Sequence, residues 1–530
     1  MVEVLMIICL AIALSNAIAE RFNLIAPLVL IVVGVLISYI PHIPHIGVDP
    51  HLALSVFLPL LLFWEAQNIS LRGIKQAFRG IILSGTLMVI FVAVSVGLVG
   101  QWVGLTLATA LLIGAAVGPT DATAVTALGK GISPRQMVVL RAESLINDGT
   151  ALVVFALALE YALGQAEITA GYALWRFFVS FVGGILVGLA VGWVVTYISR
   201  FANSYMVANV FRIAVPLSSF FLAEHFEASG VLAVVVTGLY MAQRSPRISS
   251  TESRMLSRPV WGLASYLLNS FLFLLVGLYL PSTIRGLSND SLSHVLLATL
   301  ALYLTMMAAR WIFTESIIRM IRLLDRRPSQ KLRRTTPQGR LVTTVAGFRG
   351  AISLAVAFSI PETLANGEPF PYRDVILFVT SGIVILSLVV QGALLPLVVR
   401  WSAATPNPAE AHHRSEEEEL QEAYSITYHK IIDQLPQLAR EAGASPEIEQ
   451  KIREEWVHNF GQHSKQPETA AAASEELAVE NDLRLRVIRA SREQSILLRD
   501  RGVIDDEALI EMMDRYDIEE MRLVGPLHLE

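Results

Sequence analysis

The chain has 530 residues, 54% of them hydrophobic and only 16% charged, against about 25% charged in soluble domains. One cysteine, Cys9, allows neither a disulfide framework nor a thiolate metal site within the chain. The net charge of −5 hides an asymmetry: residues 403–530 carry 28 acids against 14 bases, so the remainder is net positive. No nucleic-acid partner and no cofactor are expected of such a chain.

In chain order, apolar runs long enough to cross a hydrocarbon core of about 30 Å recur up to residue 402. They fall near 4–20, 23–40, 51–69, 80–100, 104–128, 135–160, 172–199, 207–224, 229–243, 259–280, 292–318, 341–361 and 373–400. The pattern predicts an all-α polytopic membrane protein with about thirteen transmembrane helices. The first run, MVEVLMIICLAIALSNAIAERF, lacks a basic leader and reads as a retained helix.

Basic residues between runs set the orientation. One set of loops holds Arg21, Arg72, Lys75, Arg79, Lys130, Arg135, Arg200, Arg212, Arg244, Arg247, Arg254 and Arg258. The same set includes 319-RMIRLLDRRPSQKLRRTTPQGR-340, whereas the alternate loops hold Arg176, Arg285 and Arg373. The expectation is a plasma (bacterial inner) membrane protein with its N-terminus outside and its tail cytoplasmic. Residues 1–402 form the membrane domain, 403–415 a linker, and 416–530 a helical tail. Helical periodicity runs over 416–442 and 474–522, with a join at 466–476.

Ionisable residues at bilayer depth mark function by default. Span three carries Glu65 in 63-FWEAQN-68. Span five carries 118-GPTDATAV-125, where Pro119 must interrupt the helix and Thr120 and Asp121 follow. Span six carries Glu143, Ser144, Asn147 and Asp148; positions 144 and 148 share a face. Ser144, Asp148 and a carbonyl freed at Thr120 form a candidate oxygen cage for a hard cation. Span eleven holds Arg310, and span twelve holds Arg349 in 347-GFRGAIS-353. Buried cations need acids, and Glu143 and Asp121 are candidates to neutralise Arg310 and Arg349. Spans five and twelve both carry mid-span breakers beside a charge. In two six-span halves, one to six and eight to thirteen, each takes fifth place with opposite direction. That is the inverted-repeat pattern of transporters with crossed broken helices.

Taken together, 63-FWEAQN-68, 118-GPTDATAV-125, 143-ESLINDG-149 and 347-GFRGAIS-353 resemble the monovalent cation–proton antiporter superfamily, on the NhaP and animal Na⁺/H⁺-exchanger branch. The resemblance implies a homodimer and exchange of Na⁺ or Li⁺ for H⁺, with Asp148 as the carboxylate that takes either ion. It implies that Ser144, Thr120 and Glu65 join Asp148 around the cation, that Asp121 supports the site, and that Asn147 stabilises the break. It also implies an arginine partner for Glu143: Arg310 is favoured, with Arg349 near the break in span five. An asparagine at 147 points to electroneutral, one-for-one exchange, since electrogenic relatives carry a second aspartate there. Arg141, two residues before Glu143, departs from the family pattern. K⁺ in place of Na⁺ is the alternative within the mechanism. An intramembrane aspartyl protease is disfavoured because GPTD and INDG replace its GxGD motif. A channel is disfavoured because no filter-like loop repeats.

Overall fold

The computed structural model describes residues 2–40, 53–69, 71–129, 131–164, 169–199, 205–248, 251–287, 289–324, 336–364, 366–403 and 416–460, with part of 483–523. The described residues are almost entirely helical. One isolated bridge, Thr363 to Pro369, lies in the turn before the last membrane helix. The chain divides into two compact units, Met1–Ala409 and Glu410–Glu530.

The first unit runs α1 (Val2–Phe22), α2 (Ala26–Ser38), a π-turn (Ala53–Phe57) leading into α3 (Leu58–Gln67), and α4 (Leu71–Trp102). Then come α5 (Leu107–Ala116), α6 (Ala122–Leu128), α7 (Pro134–Ala162), α8 (Ala170–Ile198), α9 (Tyr205–His225) and α10 (Gly230–Ile248). It ends with α11 (Thr251–Gly286), α12 (Asn289–Leu324), α13 (Pro337–Val345), α14 (Ala351–Phe358) and α15 (Arg373–Leu386). A second π-turn (Ser387–Gln391) joins α15 to α16 (Gly392–Ala403). Every apolar run expected from the sequence holds a helix or, at 104–128 and 341–361, two half-helices. Seven helical segments are long and apolar enough to cross a membrane, and four shorter ones are apolar.

Local chemistry explains several starts. Thr106, Ser133 and Thr336 cap α5, α7 and α13 with side-chain oxygens that accept from Thr109 N, Gln136 N and Gly339 N. Pro134 and Pro337 follow two of these caps, at a position where a missing N–H costs nothing. Glycine sets the closest helix contacts. Gly34 of α2 and Gly277 of α11 cross so tightly that a Cβ on Gly277 would lie 2.8 Å from the Gly34 Cα. Gly188 and Gly192 of α8 meet α10 at Ala233 and Tyr240 in the same way. Without a hydrophobic force between helices in lipid, such close packing supplies much of the association energy.

In the second unit, α17 (Glu416–Glu441) agrees with the expected helix at 416–442. A further helix, α18 (Pro446–Phe460), lies within the expected helical tail, between the two stretches of clear periodicity. Gly443 in the left-handed region (φ 66°) ends the first helix. Ser445 restarts the chain by accepting from Ile448 N at 3.4 Å, ahead of Pro446. Helical residues recur beyond 483, where Arg492 pairs with Asp517 and Glu520. Residues 404–415 of the expected linker and the join at 466–476 lie outside the described residues.

Gly277→Val forces α2 and α11 apart. It is expected to cost at least the roughly 1–3 kcal/mol of ordinary overpacking and to lower the unfolding temperature of the detergent-solubilised protein. An unchanged unfolding temperature would contradict the packing.

Candidate functional site

The first interruption follows α5. Gly118–Asp121 is non-helical, and α6 begins at Ala122. Asp121 caps α6: its Oδ1 accepts from Thr123 N (2.8 Å), Ala124 N (3.2 Å) and the Thr123 hydroxyl. The second interruption, Ala346–Gly350, separates α13 from α14. The two interruptions meet through backbone, with Asp121 N donating to Phe348 O at 2.9 Å. Gly350, the N-cap of α14, lies so close that any Cβ there would overlap the Asp121 carboxylate. One carboxylate thus stands at the N-termini of two half-helices, where the partial positive charges of unpaired amides gather. The sequence makes Asp121 a candidate to neutralise a deep arginine; its carboxylate is engaged with amides of α6 instead.

Helix α7 lies across the first interruption. Ser144 Oγ donates to Thr120 O at 2.5 Å. The Asn147 amide, oriented to satisfy its neighbours, donates to Gly85 O at 3.0 Å and to Glu143 O at 3.3 Å. Its oxygen accepts from Thr120 Oγ1 at 3.0 Å. Thr120, Ser144, Asn147 and Asp148 are all buried, the last two completely. Asp148 differs from the rest in having no hydrogen-bond partner on either carboxylate oxygen. No other carboxylate among the described residues has both oxygens buried and unpartnered. Glu65, Asp121 and Arg349 act electrostatically on Asp148. Glu65, half-buried near the end of α3, interacts in the same way with Asp121 and Arg141.

The two deep arginines are held differently. Arg310 Nη2 lies 2.9 Å from Glu143 Oε1 and 3.1 Å from Thr343 O, and Nη1 lies 3.5 Å from Met88 Sδ. Gly347 makes room for it, since a Cβ there would come within 2.6 Å of Arg310 Cζ. Arg349 donates from Nη1 to Gly347 O at 2.8 Å and from its backbone to Ser387 Oγ at 2.9 Å. It forms no ion pair with an acid among the described residues, so its charge remains to act on Asp148 across a distance. Arg141 reaches Thr126 Oγ1 of α6 at 3.1 Å.

The structure therefore gathers Thr120, Asp121, Glu143, Ser144, Asn147, Asp148, Arg310 and Arg349 around the crossing, with Glu65 in electrostatic reach. Sequence reasoning missed Gly85, the acceptor for Asn147, and Ser387, the acceptor for Arg349 N. Gly85 lies in an apolar run without any marker. Ser387 had one unused signal: it sits in the helix that follows the second interruption, as Ser144 sits in the helix that follows the first.

Fold and site define a class: an integral membrane protein of helices, two of them interrupted and bonded to each other through backbone beside a bare buried carboxylate. Residues 5–401 match the family model described as sodium/hydrogen exchanger, transmembrane, and the chain belongs to that family. An uncharacterised Na⁺/H⁺ exchanger of Mycobacterium tuberculosis is 34% identical over 526 residues, covering 98% of this chain and 96% of its own. The low-affinity Na⁺/H⁺ antiporter NhaS1 of Synechocystis is 30% identical over 70% of this chain and 68% of its own. A sodium, potassium, lithium and rubidium/H⁺ antiporter of Bacillus subtilis is 28% identical over 74% of this chain and 61% of its own. The structure of the sodium proton antiporter MjNhaP1 from Methanocaldococcus jannaschii superposes with a TM-score of 0.61 at 17% identity, over 75% of this chain and 98% of that one. The protein is thus a cation/proton antiporter and a transporter rather than an enzyme.

Removing one member of a buried ion pair leaves the other unpaired, at a cost of about 3–5 kcal/mol. Arg310→Ala and Glu143→Ala are each expected to lower the unfolding temperature strongly. The double substitution should lose much less than the sum. Additive losses would show that the pair is not coupled.

Proposed function

We propose that the protein exchanges Na⁺ or Li⁺ for H⁺ across the plasma membrane, one ion for one, by competition of cation and proton for Asp148. The observation that carries this reading is the bare, fully buried Asp148 carboxylate. An ionised carboxylate there is costly, and a bound proton or a bound Na⁺ removes that cost equally well. Either loaded form crosses the barrier cheaply and the empty anion does not. Exchange follows from that asymmetry without a separate gate.

In this reading Thr120, Ser144 and Glu65 complete the oxygen set around the cation. Ser144 already directs its proton to Thr120 O, so its lone pairs are free to face an ion. Asp121 supports the site as the cap of α6, with Gly350 of the second interruption packed against its carboxylate. With Asn147 in place of a second acid, each cycle moves one positive charge each way, so the exchange is electroneutral. The backbone contact of the two interruptions supports inverted halves with paired broken helices, and the apolar runs support thirteen spans. The basic-loop asymmetry supports an outside N-terminus and a cytoplasmic tail. A homodimer in the bilayer, with alternating access of the site, completes the proposal. No cofactor is required.

A second reading, K⁺/H⁺ exchange by the same mechanism, is favoured by one observation: the Bacillus subtilis relative is named for potassium and rubidium as well as sodium and lithium. Oxygen ligands alone do not fix cavity size.

Everted vesicles from a host without antiporters provide the test. Added NaCl or LiCl should collapse an imposed pH gradient with the wild type and not with Asp148→Asn. A response to KCl alone moves the substrate to potassium. No cation response, with the protein present in the membrane, contradicts antiport through this carboxylate.

A related expectation concerns charge. The Na⁺-driven rate in proteoliposomes should be the same with or without an imposed membrane potential. A rate that rises with potential would rule out one-for-one exchange.

A further inference from the structure

Most serine and threonine hydroxyls within these helices bond back to their own helix, as Ser84 does to Gly80 O, Ser95 to Phe91 O and Thr299 to Val295 O. Ser144 and Ser387 do not. Each reaches across to an interrupted helix, and the two stand at opposite ends of one hydrogen-bond chain. Ser144 Oγ donates to Thr120 O (2.5 Å). The same peptide unit carries Asp121 N–H, which donates to Phe348 O (2.9 Å). The next peptide unit carries Arg349 N–H, which donates to Ser387 Oγ (2.9 Å). Two peptide planes, one from each interruption, are thus clamped in series between two serines.

All three bonds point the same way, from α7 towards the second π-turn. Head-to-tail bonds of this kind polarise one another. Loss of the terminal acceptor frees the 348–349 plane to rotate and weakens the bond from Asp121 N. That in turn loosens Thr120 O, the acceptor that fixes the Ser144 proton. The π-turn is itself held: Ser387 and Gln391 are fully buried, and Gln391 Nε2 contacts Met307 Sδ of α12 at 2.9 Å. Such turns recur at functional sites.

We propose that Ser387 is a positioning residue for cation exchange. As terminal acceptor of this chain it keeps the Ser144 hydroxyl donating to Thr120, with its lone pairs turned to the ion beside Asp148. Ser387 touches neither the ion nor Asp148 and acts only through the two peptide planes. The inference rests on the antiport reading above.

The test measures Na⁺-dependent gradient collapse in everted vesicles between pH 6.5 and 9 for the wild type, Ser387→Ala, Ser387→Thr and Asp148→Asn. Loss of one neutral hydrogen bond predicts an apparent KM for Na⁺ raised about 3- to 10-fold in Ser387→Ala, with the pH profile displaced. Ser387→Thr, which keeps a hydroxyl there, should restore both. A wild-type KM and pH profile in Ser387→Ala would overturn the assignment, and so would a Ser387→Thr as defective as the alanine variant. If Ser387→Ala does not accumulate in membranes, Ser387→Cys replaces it, because thiol sulfur is a weak acceptor. A raised KM is again expected, and an unchanged one overturns the proposal. Asp148→Asn separates the two levels. A wild type that responds to no cation, like Asp148→Asn, contradicts the antiport reading and this inference with it. A normal wild type beside an unaffected Ser387→Ala contradicts the inference alone.

Discussion

Backbone amides and carbonyls freed inside a membrane must be bonded within the protein, because lipid offers them nothing. The site depends on how two interrupted helices meet this constraint together. Asp121 N donates to Phe348 O, so each interruption supplies a partner for the other. Pro119 withholds a donor in the first. Gly347 and Gly350 admit Arg310 and the Asp121 carboxylate to the second. Remove the crossing and the carbonyl of Thr120, the cap of α6 and the seat of Arg310 all lose their definition.

Charge follows the backbone. Of the intramembrane acids, Glu143 is neutralised by Arg310 at 2.9 Å, and the Asp121 carboxylate accepts from two amides at the N-terminus of α6. Asp148 is given neither an ion pair nor a hydrogen bond. Arg349 could have filled that role, but its guanidinium is turned to Gly347 O. Glu143 and Asp121 thus have fixed partners, and Asp148 is left to mobile ions. A fixed partner there would trap the site in its ionised form and end competition between proton and cation.

Much of this was legible in the sequence because membranes enforce simple rules. Apolar runs located the helices, and GPTD and GFRG marked both interruptions. Glu143 beside Ser144, Asn147 and Asp148 marked the polar face of α7. The role of Asp121 was less legible. A carboxylate that follows a proline can be a cap, a ligand or an ion-pair partner, and only its neighbours in space decide. Which arginine meets Glu143 was likewise open, because Arg310 and Arg349 are equally charged and equally buried. Ser387 was barely legible: SLVVQ reads as apolar helix, and only its place in the helix after the second interruption sets it apart. In the tail, periodicity alone did not delimit α18, whose start is set by Gly443 as the stop of one helix and Ser445–Pro446 as the start of the next.

The central claim is that one carboxylate holds either a proton or a sodium ion and never both. The most direct test is calorimetric titration of NaCl into the purified protein in buffers of different ionisation enthalpy, at a pH where the site is protonated. The account predicts one proton released for each Na⁺ bound, with both binding and release lost in Asp148→Asn. Sodium binding without proton release, or release that persists in Asp148→Asn, would contradict it.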